Sequence, residues 1–184
     1  MKHLATLLIA ALCCAGSSCA RPANAANESE NNQPAAVTAT SSHVKTLPAD
    51  VRGKDILATI SQDYAGEVVL IDFWATWCGP CKRAMVQIDE IKPELMKKGC
   101  KFVYIAGENS PAAAWSKMIQ DIDGDHYRLT KDQWDDICSE LELIGIPAYL
   151  LLNKDGSRAY DNIQTGGYPG NDILTNYIEV ALTK

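Results

Sequence analysis

The chain predicts an α/β fold: a βαβ unit, then a ββα unit, with a helical insertion between the halves. Three observations carry this expectation. Val68 to Phe73, reading VVLIDF, is a short, nearly continuous apolar run rich in β-branched residues, as expected of a strand buried on both faces. After a break at Gly79-Pro80, residues Cys81, Ala84, Met85, Ile88, Ile91 and Leu95 recur at helical spacing. Lys97-Lys98-Gly99 then gives a helix stop, and Lys101 to Ala106 reads as the next strand; two strands joined by a helix of this length form a parallel crossover.

The remaining elements follow in order. Ahead of the first strand, Asp55 to Tyr64 carries Ile56, Leu57 and Ile60 and predicts a short amphipathic helix ending at Ala65-Gly66. Pro93 should kink the long helix after Gly79-Pro80 or end its regular part, because it removes one hydrogen bond. The connection from Gly107 to Gly145 holds two more helices. One is Pro111 to Ile119; the other is Lys131 to Leu141, with Trp134, Ile137, Cys138 and Leu141 on one face. Trp115 and Trp134 read as core of this insertion. Ala148 to Leu152, the turn Asn153-Lys154-Asp155-Gly156 and Ser157 to Asp161 form a hairpin. A last helix spans about Asn171 to Leu182.

The chemistry sits where the first strand meets its helix. Cys78-Gly79-Pro80-Cys81 places one thiol at a helix N-terminus, whose partial positive charge favours a thiolate. Cys81, one turn on, shares the inward stripe and should be shielded. A structural zinc site would need two further ligands, but Cys100, Cys138, His43 and His126 are scattered singly, so no metal is expected. A peroxidase pattern Pro-x-x-x-Thr-x-x-Cys fails, because Ile71 and Ala75 stand where it needs proline and threonine. A purely structural disulfide fits poorly, since a turn at the helix start exposes the first sulfur. Asp72 interrupts the apolar strand, where an ionised carboxylate is poorly solvated. It reads as the proton acceptor for Cys81, against the plainer reading of an acid that reaches water at the strand end. His126, beside Tyr127 and Arg128, reads as a surface histidine, against the alternative of a substrate contact, and Cys100 and Cys138 read as buried free thiols rather than a second bridge.

Trp77-Cys78-Gly79-Pro80-Cys81-Lys82, with Trp74 and Asp72 before it and Gly145-Ile146-Pro147 far downstream, resembles the thioredoxin superfamily from about Leu47 to the C-terminus. The long insertion is similar to that of the exported TlpA/ResA-like branch. The resemblance implies a thioredoxin fold and a thiol-disulfide oxidoreductase, acting as a protein disulfide reductase without a cofactor. It implies Cys78 and Cys81 as the redox-active disulfide and, with Asp72, as the catalytic set. It implies Pro147 in cis beside the dithiol, and Trp77, Gly79, Pro80, Ile146 and Pro147 as the substrate-binding surface. The implied partners are disulfide-bearing exported proteins and a membrane thiol electron donor. The alternatives are a thiol oxidase or isomerase, or a binding module that does not turn over. The chain departs from the branch at Ala84 and Val86, where relatives carry an acid and a proline, and at Asp72, where many carry asparagine.

The N-terminus reads as a targeting segment. Lys2 and His3 precede an apolar stretch, Leu4 to Ala15, too short to span a bilayer as a permanent helix. Ala23-Asn24-Ala25 fits signal cleavage before Ala26; Gly16-Ser17-Ser18-Cys19 fits a lipobox, with Cys19 lipidated. Both predict export, to a periplasmic location, soluble or lipid-anchored through Cys19. The expected organisation is a signal over 1–25 (1–18 for a lipoprotein), a polar flexible linker over 26–46, and one thioredoxin-like domain over 47–184. Cleavage after Ala25 would leave 15 basic and 23 acidic residues, a net charge of −8 that argues against a nucleic-acid partner. It would also remove Cys13, Cys14 and Cys19, leaving the dithiol, Cys100 and Cys138 outside the reducing cytosol.

Overall fold

The computed structural model describes residues 42–184. The two cleavage readings, Cys13, Cys14 and the lipid-anchor reading at Cys19 lie outside the described residues. Strand β2 (Val68–Phe73) lies inside the sheet, buried along its whole length as its composition demands. Its five apolar side chains are each at most 2% exposed, and full burial of such a group stabilises by about 1.5–3 kcal/mol. Parallel to β2 runs β3 (Cys100–Gly107), completing the expected crossover. On the other side β5 (Ala148–Leu152) pairs antiparallel with β2, and β6 (Arg158–Asp161) pairs antiparallel with β5. These four strands are the βαβ and ββα halves read from the sequence.

Two further strands extend the sheet. β4 (Gly124–Leu129) lies parallel to β3, and β1 (Ser42–Lys45) lies parallel to β4, so the order is β1-β4-β3-β2-β5-β6. Both correct the sequence reading. The insertion is not purely helical, and residues 42–45, assigned to the linker, form an edge strand. Gly124 fits β4 against its neighbour: a Cβ there would stand 2.7 Å from the Phe102 carbonyl oxygen and 2.9 Å from the Tyr104 ring, at φ +136°.

Side-chain alternation divides the core into two layers. On one face, Val69, Ile71 and Phe73 meet Ile56 and Ile60 of α1 (Asp55–Gln62) and Ile137 and Leu141 of α5 (Lys131–Leu141). A capping box starts α5, with Thr130 and Gln133 each bonding the other's backbone N–H. On the other face, Val68 and Leu70 lie under α2 (Gly79–Ile88), α3 (Lys92–Lys97) and α6 (Asn171–Leu182), while Trp115 of α4 (Ala112–Met118) closes the far end. Pro93 acts more strongly than a kink. The active-site helix ends at Ile88, and α3 starts afresh with Pro93 in its first turn, where its missing N–H costs nothing. Among the described residues no helix is long and apolar enough to cross a membrane.

Candidate active site

β2 delivers the chain to the site. Trp74 N–H still bonds the Ile105 carbonyl, and Thr76 N–H donates to the Ser110 hydroxyl, which ties the connecting loop to the end of β3. The backbone then turns at Cys78, which caps α2 in an extended conformation, with Pro80 in the helix's first turn. Sγ of Cys78 accepts the Cys81 N–H at 3.1 Å, one of the donors that a helix start leaves unpaired. Cys78 and Cys81 form a disulfide with their Cα atoms 5.3 Å apart.

Cys81 is fully buried, as its place on the inward stripe requires. Cys78 differs from expectation: it is only 3% exposed in this disulfide form, while Trp77 beside it is 60% exposed. The loop carrying Pro147 covers it. The Ile146–Pro147 peptide bond is cis, and the Ile146 carbonyl oxygen lies 3.8 Å from Cys78 Sγ. Thus Cys78, Cys81, Trp77, Gly79, Pro80, Ile146 and Pro147 fall in one place. A groove of about 190 Å³ runs from there, lined by Trp77, Ile146, Ile144, Trp134 and Cys138. Trp134 reaches the groove because Gly107 has no side chain; a Cβ at that position would stand 2.6 Å from Trp134 Cγ.

Asp72 lies beneath the helix, on the sheet face that α2 and α3 cover. It is 2% exposed, and neither carboxylate oxygen has a hydrogen-bond partner. Burial pushes its carboxyl up to about 8, and the Lys92 ammonium draws it part of the way back. Lys92 is itself only 3% exposed; its Nζ bonds Asp89 at 2.6 Å and sits 5.2 Å from the Tyr104 ring centroid.

Two residues, His126 and Cys138, change their reading. His126 is completely buried, with Nε2 3.0 Å from the Ile122 carbonyl and its ring stacked on Tyr104. Burial lowers its proton affinity below the usual histidine range. Cys100 and Cys138 are both free; Cys100 is buried as expected, but Cys138 is half-buried and borders the groove. Burial raises their thiols to about 12 and about 11, so neither resembles an activated cysteine. Sequence reasoning also missed Lys92, a lysine one turn past the helix break whose burial had no local signal. Among the described residues no group of three or more His, Cys, Asp or Glu is placed to hold a metal ion.

The family model described as Redoxin matches residues 33–168. Among curated proteins, the thiol-disulfide oxidoreductase ResA of Bacillus thuringiensis subsp. konkukian is 27% identical over 107 residues, covering 58% of this chain and 59% of that protein. ResA of Geobacillus kaustophilus is 30% identical over 112 residues, covering 60% and 62%. The matches therefore span 59–62% of those relatives' length. Among solved structures, the thioredoxin domain of a thiol-disulfide oxidoreductase from Bacteroides vulgatus aligns with a TM-score of 0.57 at 21% identity, covering 66% of this chain and 83% of that one. A thiol:disulfide interchange protein of the thioredoxin family from Chlorobium tepidum aligns with a TM-score of 0.54 at 20% identity, covering 66% and 84%. At these identities the likeness establishes the fold, which is the thioredoxin fold. With its family model matched over most of its length, this chain belongs to the Redoxin family.

Proposed function

We propose that this chain is an exported thiol-disulfide oxidoreductase that reduces disulfides of other exported proteins. One observation carries the reading: a Cys78–Cys81 disulfide at the start of α2, its first sulfur against the Ile146 carbonyl of the cis-proline loop. In the reduced protein the Cys78 thiolate, favoured by the helix N-terminus, attacks one sulfur of the substrate disulfide. The substrate S–S bond breaks, a mixed disulfide forms, and the departing substrate thiolate takes up a proton. Cys81 then passes its proton to the Asp72 carboxylate and attacks Cys78 Sγ. The second substrate thiolate leaves, two electrons have moved to the substrate, and the chain holds the Cys78–Cys81 disulfide. A thiol donor at the membrane returns two electrons and restores the dithiol. Trp77, Gly79, Pro80, Ile146 and Pro147 form the surface on which an extended substrate segment lies. Export by the N-terminal segment, cleaved before Ala26 or lipidated at Cys19, puts this cycle in the periplasm.

Trapping tests the division of labour. Cys81→Ser should stop insulin reduction while accumulating mixed disulfides on Cys78, and Cys78→Ser should abolish both. A wild-type protein that binds disulfide substrates without turnover would make this a binding module. Alkylation of the reduced protein at Cys81 before Cys78 would reverse the assignment.

A further inference from the structure

Two tryptophans from distant parts of the chain line the groove beside the disulfide, and disulfide exchange as described uses one of them. Trp77 stands next to Cys78, and Trp134 of α5 lines the same groove of about 190 Å³. Trp134 and Cys138 lie four residues apart on α5, so they share one face of that helix. Ile137 and Leu141 hold the adjoining face in the core. α5 therefore divides its apolar surface between core and groove. The end of the helix then brings the chain back. Glu142 adopts a left-handed conformation at φ 54°, and Leu143 N–H bonds the Cys138 carbonyl at 2.9 Å. Leu143, Ile144 and Gly145 line the groove on the way to Ile146.

Three features fit this groove to an apolar side chain of a partner. Trp77 is 60% exposed and Ile144 is 68% exposed, so two large apolar groups of the lining face solvent. Among the described residues that line the groove none is charged, and the Asn109 amide and Cys138 thiol are its polar side chains. A charged group entering it would lose water and gain no ionic partner. The third feature is size and shape. The volume exceeds the roughly 150 Å³ of a cavity that takes up benzene, and the indoles of Trp77 and Trp134 offer ring contacts to an aromatic guest. Gly107 keeps Trp134 in place, since it leaves room for that ring where any larger residue would overlap it.

The groove is continuous with the redox site, because Ile146 lines it and sets its carbonyl oxygen 3.8 Å from Cys78 Sγ. Along an extended substrate segment side chains alternate faces, and residues two apart share one face at a spacing of about 6.5 Å. With the substrate cysteine turned down to Cys78, its immediate neighbours turn away and the residue two positions along turns toward the protein. We propose that the groove is a specificity pocket for that residue, and that Trp134 makes the chain prefer disulfides with an aromatic residue two positions from the reacting cysteine. This rests on the reading of the chain as a disulfide reductase. Backbone contacts along the cis-proline loop hold any extended segment, and the pocket selects among them. Trp134 is thus a specificity-determining residue that touches substrate away from the sulfurs.

The test is reduction of short peptide disulfides that differ only at the positions two residues either side of the cysteine, where they carry phenylalanine, alanine, lysine or glutamate. The reduced full chain should favour phenylalanine over alanine by about tenfold in kcat/KM, near the upper end of what an aromatic pair contributes. Lysine and glutamate should fall at or below alanine. Trp134→Ala should bring the phenylalanine-to-alanine ratio to parity, and Ile144→Ser should lower it to about threefold. Ile144 is largely exposed, so its variant carries the test alone where Trp134→Ala does not fold. Parity in wild type, a charged peptide reduced fastest, or a preference that the folded variants keep overturns the pocket and leaves the reductase reading standing. No reduction of any peptide or of insulin removes the reductase reading instead, and occupancy of the groove is then read on Cys138. The phenylalanine peptide with serine for cysteine should slow Cys138 alkylation in the oxidised full chain, resolved by mass spectrometry of the Cys138 fragment, and the alanine peptide should not. Equal effects of the two peptides overturn the pocket.

Discussion

Asp72→Asn should stabilise the oxidised protein, by an amount that grows with pH. Burial raises the folded-state carboxyl from 3.8 to about 8, whereas in the unfolded chain it titrates near 3.9. Below about pH 4 both states hold the proton and the group adds no pH-dependent cost. Between about pH 4 and 8 the folded state binds a proton that the unfolded state has released. Stability therefore falls by about 1.4 kcal/mol for each pH unit gained. Above about pH 8 the carboxyl is ionised in both states and the penalty levels off, at roughly 5–6 kcal/mol as an upper figure. That is comparable to the whole stability of a marginal domain.

An asparagine at this position is neutral throughout, and its amide replaces a carboxylate that has no hydrogen bond to lose. Urea unfolding of wild type and variant, extrapolated linearly at a series of pH values, isolates the term because all other groups cancel in the difference. The variant's advantage should be near zero at pH 4, about 3 kcal/mol at pH 6 and largest at pH 8 and above. An advantage that is flat across this range would refute the reasoning, and so would a variant less stable than wild type at pH 8. Either result would mean that Asp72 reaches solvent or a partner that keeps it ionised.

The same substitution should slow resolution of the mixed disulfide more than the first attack. In wild type the resolution rate should rise with pH through about 8, the value to which Asp72 is raised; single-turnover kinetics with a labelled peptide disulfide separate the two steps. In the oxidised chain without residues 1–25, alkylation should block two thiols, Cys138 at the groove before buried Cys100; complete resistance would mean a second disulfide. Gly107→Ala should cost about 1–3 kcal/mol, because its Cβ would overlap Trp134 at 2.6 Å. Trp134→Leu in the same chain should restore most of that loss in a thermal melt. With its Gly79-Pro80 spacer and no acid at Ala84, the dithiol should have a potential nearer the roughly −270 mV of thioredoxin than the roughly −120 mV of DsbA. Equilibration against glutathione, read by Trp74 and Trp77 fluorescence, checks this, and a DsbA-like value would make the chain an oxidase.

Elements that satisfied a local rule were legible in the sequence. β2 was a continuous apolar run, α5 carried its apolar face, and the β5–β6 hairpin had its turn residues. The disulfide and the cis-proline loop were legible too, through the resemblance that Trp77 to Lys82 and Gly145-Ile146-Pro147 carry to the thioredoxin superfamily. What escaped depended on partners distant in the chain. β1 reads only SHVK; its parallel pairing with β4 and the Lys45 contacts with Asp63 and Asp125, at 3.6 and 3.7 Å, make it a strand. β4 carries Asp125, His126 and Arg128 in a six-residue strand, so no apolar alternation announced it.

Four buried polar residues, one on each of four neighbouring strands and together forming a polar row, show the limit most clearly. In its own strand each member looks like a single exception: Asp72 in VVLIDF, Tyr104 in CKFVYIAG, His126 in GDHYRL, Tyr149 in AYLLL. Only the pairings of Asp72 with Tyr104 and Tyr149, and of Tyr104 with His126, set the four in one line. Side chains alternate faces along a strand, so a slip of one residue in β3 would set Val103 or Ile105 opposite Asp72 and send Tyr104 to the other layer. Apolar residues fill that second layer, including Ile71, Phe73, Val103 and Ile105. The burial that holds the register therefore also holds the row, and the carboxyl beneath the disulfide owes its surroundings to packing on the opposite side of the sheet.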